Sequence, residues 1–288
     1  MEGLVWWALV ALGVAFGIHG KRFLAVRWKP AEETWVALGF GLLAILLSAA
    51  MLPFGREARL LPVGILLRDV LMVLGCGLVL PTWYVLLKKR GSWRDLGLSG
   101  DNLWPSLAVG AATGLFISLG LIFSERRPAL DVSTARALVA LLAPGVFEAV
   151  LYYGFLQTAF AKAFGRLPAI VLGAALYSLH HIGFQLPWEA DPAGKLWELF
   201  LVGVMMQSVT SITGNPLTYF PLAYLPGVAS DVLLNPAIAS RLAQSMPRGL
   251  IVLGSMGAWV AVLELTGRTP RGYDGNNRRR GVITPCRR

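Results

Sequence analysis

Glu148, His180, His181 and Asp231 stand deep inside apolar runs long enough to cross a bilayer. An ionisable group in hydrocarbon is costly, so each is a candidate for function. Glu148 lies in Pro144-Gly145-Val146-Phe147-Glu148-Ala149-Val150-Leu151-Tyr152-Tyr153-Gly154-Phe155-Leu156-Gln157, with no basic residue close by. A bare carboxylate there must take a proton or find a partner. Two readings follow: a neutral Glu hydrogen-bonded between helices, or a general acid or base acting on a substrate. His180 and His181 lie in Leu176-Tyr177-Ser178-Leu179-His180-His181-Ile182-Gly183. Neighbours on a helix point ~100° apart. The spacing therefore predicts one ring facing Glu148 and the other turned to packing or backbone.

Other intramembrane chemistries fit these residues less well. A zinc protease would carry His-Glu-x-x-His on one helix, and the sequence has no such pair. Three histidines cannot build a His-rich cage, although Glu148, His181 and Asp231 could just ligate one ion. The reading therefore calls for no metal and no cofactor. Gly254-Ser255-Met256-Gly257 does not set its Ser as a serine intramembrane protease would. Its small residues are expected to serve helix packing.

The elements that must position the deep residues are membrane helices. Of 288 residues, 56% are hydrophobic and 15% charged, and mean hydropathy is +0.61. Soluble domains carry roughly 25% charged residues. The deficit excludes a soluble enzyme, a disordered chain and a nucleic-acid-binding module. Apolar runs appear near 3–19, 34–54, 66–87, 103–124, 137–161, 167–186, 194–212, 216–237 and 249–266. The fold class expected is an all-α polytopic membrane protein, a bundle of about eight or nine transmembrane helices. Residues 1–102 form N-terminal helices, 103–237 the core, 238–266 a last helix, and 267–288 a disordered basic tail. Counted from the nearest basic residues, Glu148, His181 and Asp231 fall at similar depths, from mid-membrane outward.

The net charge of +10 belongs to the bilayer, because Lys and Arg collect in cytoplasmic loops. With the N-terminus outside, seventeen of the 26 basic residues lie in cytoplasmic segments: 21–29, 88–94, 162–166 and the tail. That predicts an outside N-terminus and a cytoplasmic C-terminus. The acidic, then apolar, N-terminus reads as a retained helix rather than a cleaved signal. Cys76 and Cys286 lie in unlike segments and are not expected to pair.

The Glu148 and His181 segments together resemble the CAAX protease and bacteriocin-processing family of glutamate-dependent intramembrane proteases. The family's first motif is Glu-Glu-x-x-x-Arg followed by Gly-apolar-Leu. Glu148 matches the first Glu, and Gly154-Phe155-Leu156 the end. Ala149 stands in the second Glu position and Tyr153 in that of the Arg. The second motif, Phe-x-x-x-His, matches Tyr177 to His181 with Tyr for Phe and selects His181. The third, His-x-x-x-Asn or Asp, has its nearest stand-in at Asp231 to Asn235. The resemblance covers about residues 103–237. It implies an intramembrane endopeptidase of a bacterial cell membrane, acting on a membrane-anchored or exported protein. Glu148 and His181 would activate water, and Asn235, with Asp231 beside it, would support the oxyanion. The two replaced motif residues leave an alternative: a catalytically degenerate member with a scaffolding or immunity role.

Overall fold

A computed structural model describes residues 2–55, 61–100, 102–123, 131–183, 190–220 and 236–266, all as helices and their connections, with no strand among them. The main helices are α1 Glu2–His19, α2 Glu32–Ala49, α3 Pro62–Lys88, α4 Leu103–Phe123 and α5 Val132–Phe164. They continue as α6 Arg166–Leu179, α7 Pro192–Thr213, α8 Pro236–Gln244 and α9 Met246–Leu265. Six of these (α2, α3, α4, α5, α7 and α9) are long and apolar enough to span a membrane, and α1 and α6 are shorter apolar helices. The all-α membrane architecture is as the sequence predicts. Most of the expected eighth run, 216–237, lies outside the described residues.

The central element is α5. It begins five residues earlier than its apolar run suggests, because Asp131 caps it by accepting a 2.7 Å hydrogen bond from the Thr134 N–H. Pro144 lies inside this helix and can donate no i→i−4 bond, which loosens the local ladder. Just beyond Glu148 the backbone widens to a π-helix over Ala149–Leu156, and every residue of that stretch is buried. Two thirds of the most apolar window of α5 (67%) is buried, against 17% for α9, so α5 is wrapped by the others. Trp6, Trp104, Ile251 and Leu265 are exposed, as lipid-facing side chains are.

Around α5, α3 approaches where Gly77 leaves room for Phe147; a Cβ there would lie 2.7 Å from that ring. Helices α8 and α9 pack on the first half of α5 and α6 packs along α7, while α1 joins α6 and α7 in one apolar cluster through Ala8, Ala15, Ile170, Ala174, Leu201 and Val204. Gly254 and Gly257 meet nothing within 4 Å. The packing role expected of these small residues is therefore not seen among the described residues, because they face outward on α9.

One end of the bundle gathers charge. Glu32 accepts from Lys88 at 3.1 Å and from Lys89 at 2.7 Å. Lys162 reaches both Glu33 and Asp95 at 3.4 Å, and the Arg27 guanidinium donates to the Ala161 carbonyl at 2.7 Å. Exposed pairs contribute about 0–1 kcal/mol each. They mark which ends meet more than they hold them together.

Candidate functional site

Two helices set the depth of the site. Gly165, at φ +100°, turns the chain sharply between α5 and α6, in a conformation that side-chain-bearing residues resist. Glu148 is the midpoint of α5. From the same turn the 14-residue α6 climbs ~21 Å and stops. The two arms are nearly equal in length, so the end of α6 comes level with Glu148.

Helix α6 was expected to run on to residue 186, but it ends at Leu179. The cause is local. Both histidine rings turn back onto the Tyr177 carbonyl, with Nδ1 of His180 at 2.5 Å and of His181 at 2.9 Å. The His181 N–H bonds instead to the Ser178 carbonyl at 3.2 Å. Imidazoles thus satisfy a carbonyl that the helix end would leave open. Gly183 then fits against α2: its N–H donates to the Ser48 hydroxyl at 2.9 Å. A Cβ at Gly183 would overlap the Ser48 carbonyl oxygen at 1.6 Å, so only glycine allows this approach.

This ending brings both rings to Glu148. His180 Nε2 lies 3.7 Å and His181 Nε2 3.8 Å from Glu148 Oε1. The expectation that His180 turns away is therefore corrected: the ~100° rule holds inside a helix, and these residues lie in its terminal turn. A carbonyl only accepts, so each Nδ1 facing Tyr177 carries a proton. In the neutral rings Nε2 is then the lone-pair nitrogen, and both point toward the carboxylate. The other carboxylate oxygen, Oε2, accepts a hydrogen bond from the Tyr219 hydroxyl. Glu148, His180 and His181 are all buried, with His180 at 0% exposure. Their ligand-type atoms lie within 4.8 Å of one another.

Aromatic rings fix these groups. Tyr152 stacks on His180 at 4.7 Å and Tyr177 meets His181 edge-on at 4.8 Å. Tyr153, in the place of the motif Arg, stacks on Tyr219 at 4.8 Å. The π-helical stretch is tied to α7 by two buried amides. Gln207 Nε2 donates to the Tyr152 carbonyl at 3.1 Å, and Gln157 Nε2 to the Gln207 carbonyl at 2.6 Å. Tyr219 and Gln207 were not singled out from the sequence. Each is an ordinary residue of an apolar segment, and only the fold carries it to Glu148 or the π-helix.

The remaining deep polar groups lie elsewhere or are paired. His19 meets the Ser211 carbonyl at 3.1 Å, and Arg68 pairs with its neighbour Asp69 at 3.0 Å, the local pairing expected. Cys76 is a buried free thiol. Asp231 and Asn235 lie outside the described residues.

Residues 131–222 match the family model described as type II CAAX prenyl endopeptidase Rce1-like. This segment is Rce1-like. It holds α5, α6, α7 and every residue of the cluster around Glu148. The match supports membership of the CAAX protease and bacteriocin-processing family, which the motifs pointed to. That family is one of proteases, and the chain is an integral, multi-pass membrane protein. No curated protein and no solved structure matches.

Proposed function

We propose that this chain is an intramembrane endopeptidase that hydrolyses a peptide bond in a membrane-anchored or exported protein. The observation that carries the reading is the buried Glu148 carboxylate, mid-way along the central helix, faced by two imidazole Nε2 atoms within 3.8 Å. A water held there would be polarised by Glu148 and His181, and its oxygen would attack the scissile carbonyl. The proton it gives up would pass through the same groups to the leaving amine. Asn235 is assigned the oxyanion, as a preorganised donor, with Asp231 beside it. Burial of the cluster supports the assignment, since each polar interaction counts for more where water is scarce.

The partners are then a peptide substrate and the bilayer, and the site is that of a bacterial inner membrane with the charged end of the bundle in the cytoplasm. Ala149 and Tyr153 favour a second reading, a non-catalytic member with a scaffolding or immunity role. Purified protein in liposomes with a membrane-anchored peptide library decides between them. The peptidase reading expects cleavage by wild type and a loss of about 10²-fold or more with Glu148→Gln. Equal cleavage by both, or none by either, favours the second.

A further inference from the structure

We propose that a polar cleft between α3, α5 and the start of α9 is the water entry to Glu148, closed at its inner end by the Phe147 ring. The proposal deepens the hydrolytic reading above and rests on it, because each bond cut consumes a water at a carboxylate buried in the bundle. A path for that water must offer it hydrogen bonds on the way.

The cleft is built from groups that apolar helices rarely carry. Arg68 and Asp69 of α3 line it, with side chains 13% and 12% exposed, so the pair lies just under the surface and reaches it. Charges within a membrane helix are costly, and they typically face a water-filled cavity. Ala140 and Pro144 of α5 form part of the opposite wall. Pro144 has no N–H to give the Ala140 carbonyl, which therefore lacks its ordinary i+4 donor. Gly249 of α9 faces that carbonyl without a side chain, and a Cβ there would stand 3.3 Å from its oxygen. Ser245 borders the same space; its hydroxyl donates to the Leu242 carbonyl at 2.7 Å and can still accept. A guanidinium, a carboxylate, a carbonyl and a hydroxyl thus surround room for about one water, which needs 2–4 polar partners.

The cleft leads toward the site. Ala140, Pro144 and Glu148 recur every four residues on one face of α5, which puts the first two about 12 Å and about 6 Å of helical rise from the carboxylate. They lie on the far side of Glu148 from the charged end, where Lys162 of the same helix pairs with Glu33 and Asp95. Val73 and Ala143 also line the cleft. One turn further along each helix, α3 presents Gly77 and α5 presents Phe147. The Phe147 ring occupies the room that Gly77 leaves, 2.7 Å from where a Cβ would be. The same ring meets His180 edge-on at 5.3 Å and is buried. One aromatic ring thus stands between the cleft and the imidazoles that face Glu148. Swinging it aside joins the two spaces without moving a helix.

The test uses the full chain in detergent, with Cys76→Ala and Cys286→Ala to clear other thiols and Glu148→Cys as the probe. Silver ion, close to water in size and confined to water-filled space, is added for set times; the thiol left over is then counted with a maleimide after denaturation. The introduced thiol should react readily. Arg68→Met with Asp69→Leu keeps the volume and leaves neither charge unpaired. That pair of changes should slow the reaction about 10-fold, the rate equivalent of one lost hydrogen-bond partner. Gly249→Ala, which narrows the cleft, should also slow it and gives the comparison if the double variant does not fold. Phe147→Leu should speed it. In chains that keep Glu148, the Arg68→Met, Asp69→Leu pair should lower kcat of peptide cleavage about 10-fold and leave KM unchanged. Equal labelling rates with the cleft intact, stripped of charge or narrowed, in folded protein, overturn the proposal. If the protein with Glu148 still cleaves peptide in that case, the hydrolytic reading survives with water from another side. If labelling follows the cleft and no peptide is cleaved, the water entry stands and the hydrolytic reading fails.

Discussion

At the scale of single residues, the site depends on how a helix stops. Glu148 was legible because a carboxylate in an apolar run has few innocent explanations, and His181 because it keeps the motif spacing from Tyr177. His180 was misread. Periodicity describes helix interiors, and nothing in the sequence announces that two rings would cap the Tyr177 carbonyl. Tyr219, 71 residues from Glu148, carries no local signal at all. The corrected geometry makes a definite prediction. His180→Ala should lower peptide cleavage as His181→Ala does, because both imidazoles face Glu148 at like distance, by about 10²-fold for each, in a rate comparison at equal protein in liposomes. A family-spacing account would instead leave the His180 variant active.

At the scale of elements, most helices were readable from hydropathy, while their ends were set by particular groups. Asp131 extends α5, and the imidazoles of His180 and His181 shorten α6. The cap has a pH signature. The backbone N–H of Thr134 bonds to the Asp131 carboxylate and holds its pKa below the usual 3.8. Its stabilisation is therefore fully present above that value and is lost as pH falls through the lowered one. Thermal unfolding of wild type and Asp131→Asn between pH 2 and pH 6 should show this acid-side loss in wild type and a flatter profile in Asn, which still caps. The Gly165 turn offers a sharper test. Gly165→Ala places a Cβ 2.1 Å from the Ala25 carbonyl oxygen in an essentially glycine-only backbone region that costs about 1–3 kcal/mol by itself. The variant should melt several degrees lower than wild type. An unchanged melting temperature would mean that this turn does not fix the level of α6.

At the scale of the whole molecule, the sequence supplied the membrane class and a sidedness argument, and the fold supplies its geometry. The basic segments assigned to one side do meet at one end of the bundle: 88–94 and 162–166 through Glu32, Glu33 and Asp95, and 21–29 through Arg27 on the Ala161 carbonyl. No such meeting is visible in composition, because the loops are far apart in the chain. Reporter fusions after residues 30, 95 and 270 should all read cytoplasmic. A fusion at 270 reading outside, with the other two inside, would place an odd number of crossings between 95 and the tail.

The central claim is that the Glu148 cluster cuts peptide bonds in membrane-anchored proteins. The most direct measurement compares protein termini in membranes of cells carrying wild type and Glu148→Gln, the two proteins being present in equal, folded amounts. The account predicts new termini within or beside a membrane anchor that appear with wild type and vanish with Glu148→Gln, where the uncut precursors accumulate. Identical termini in the two membranes would contradict it.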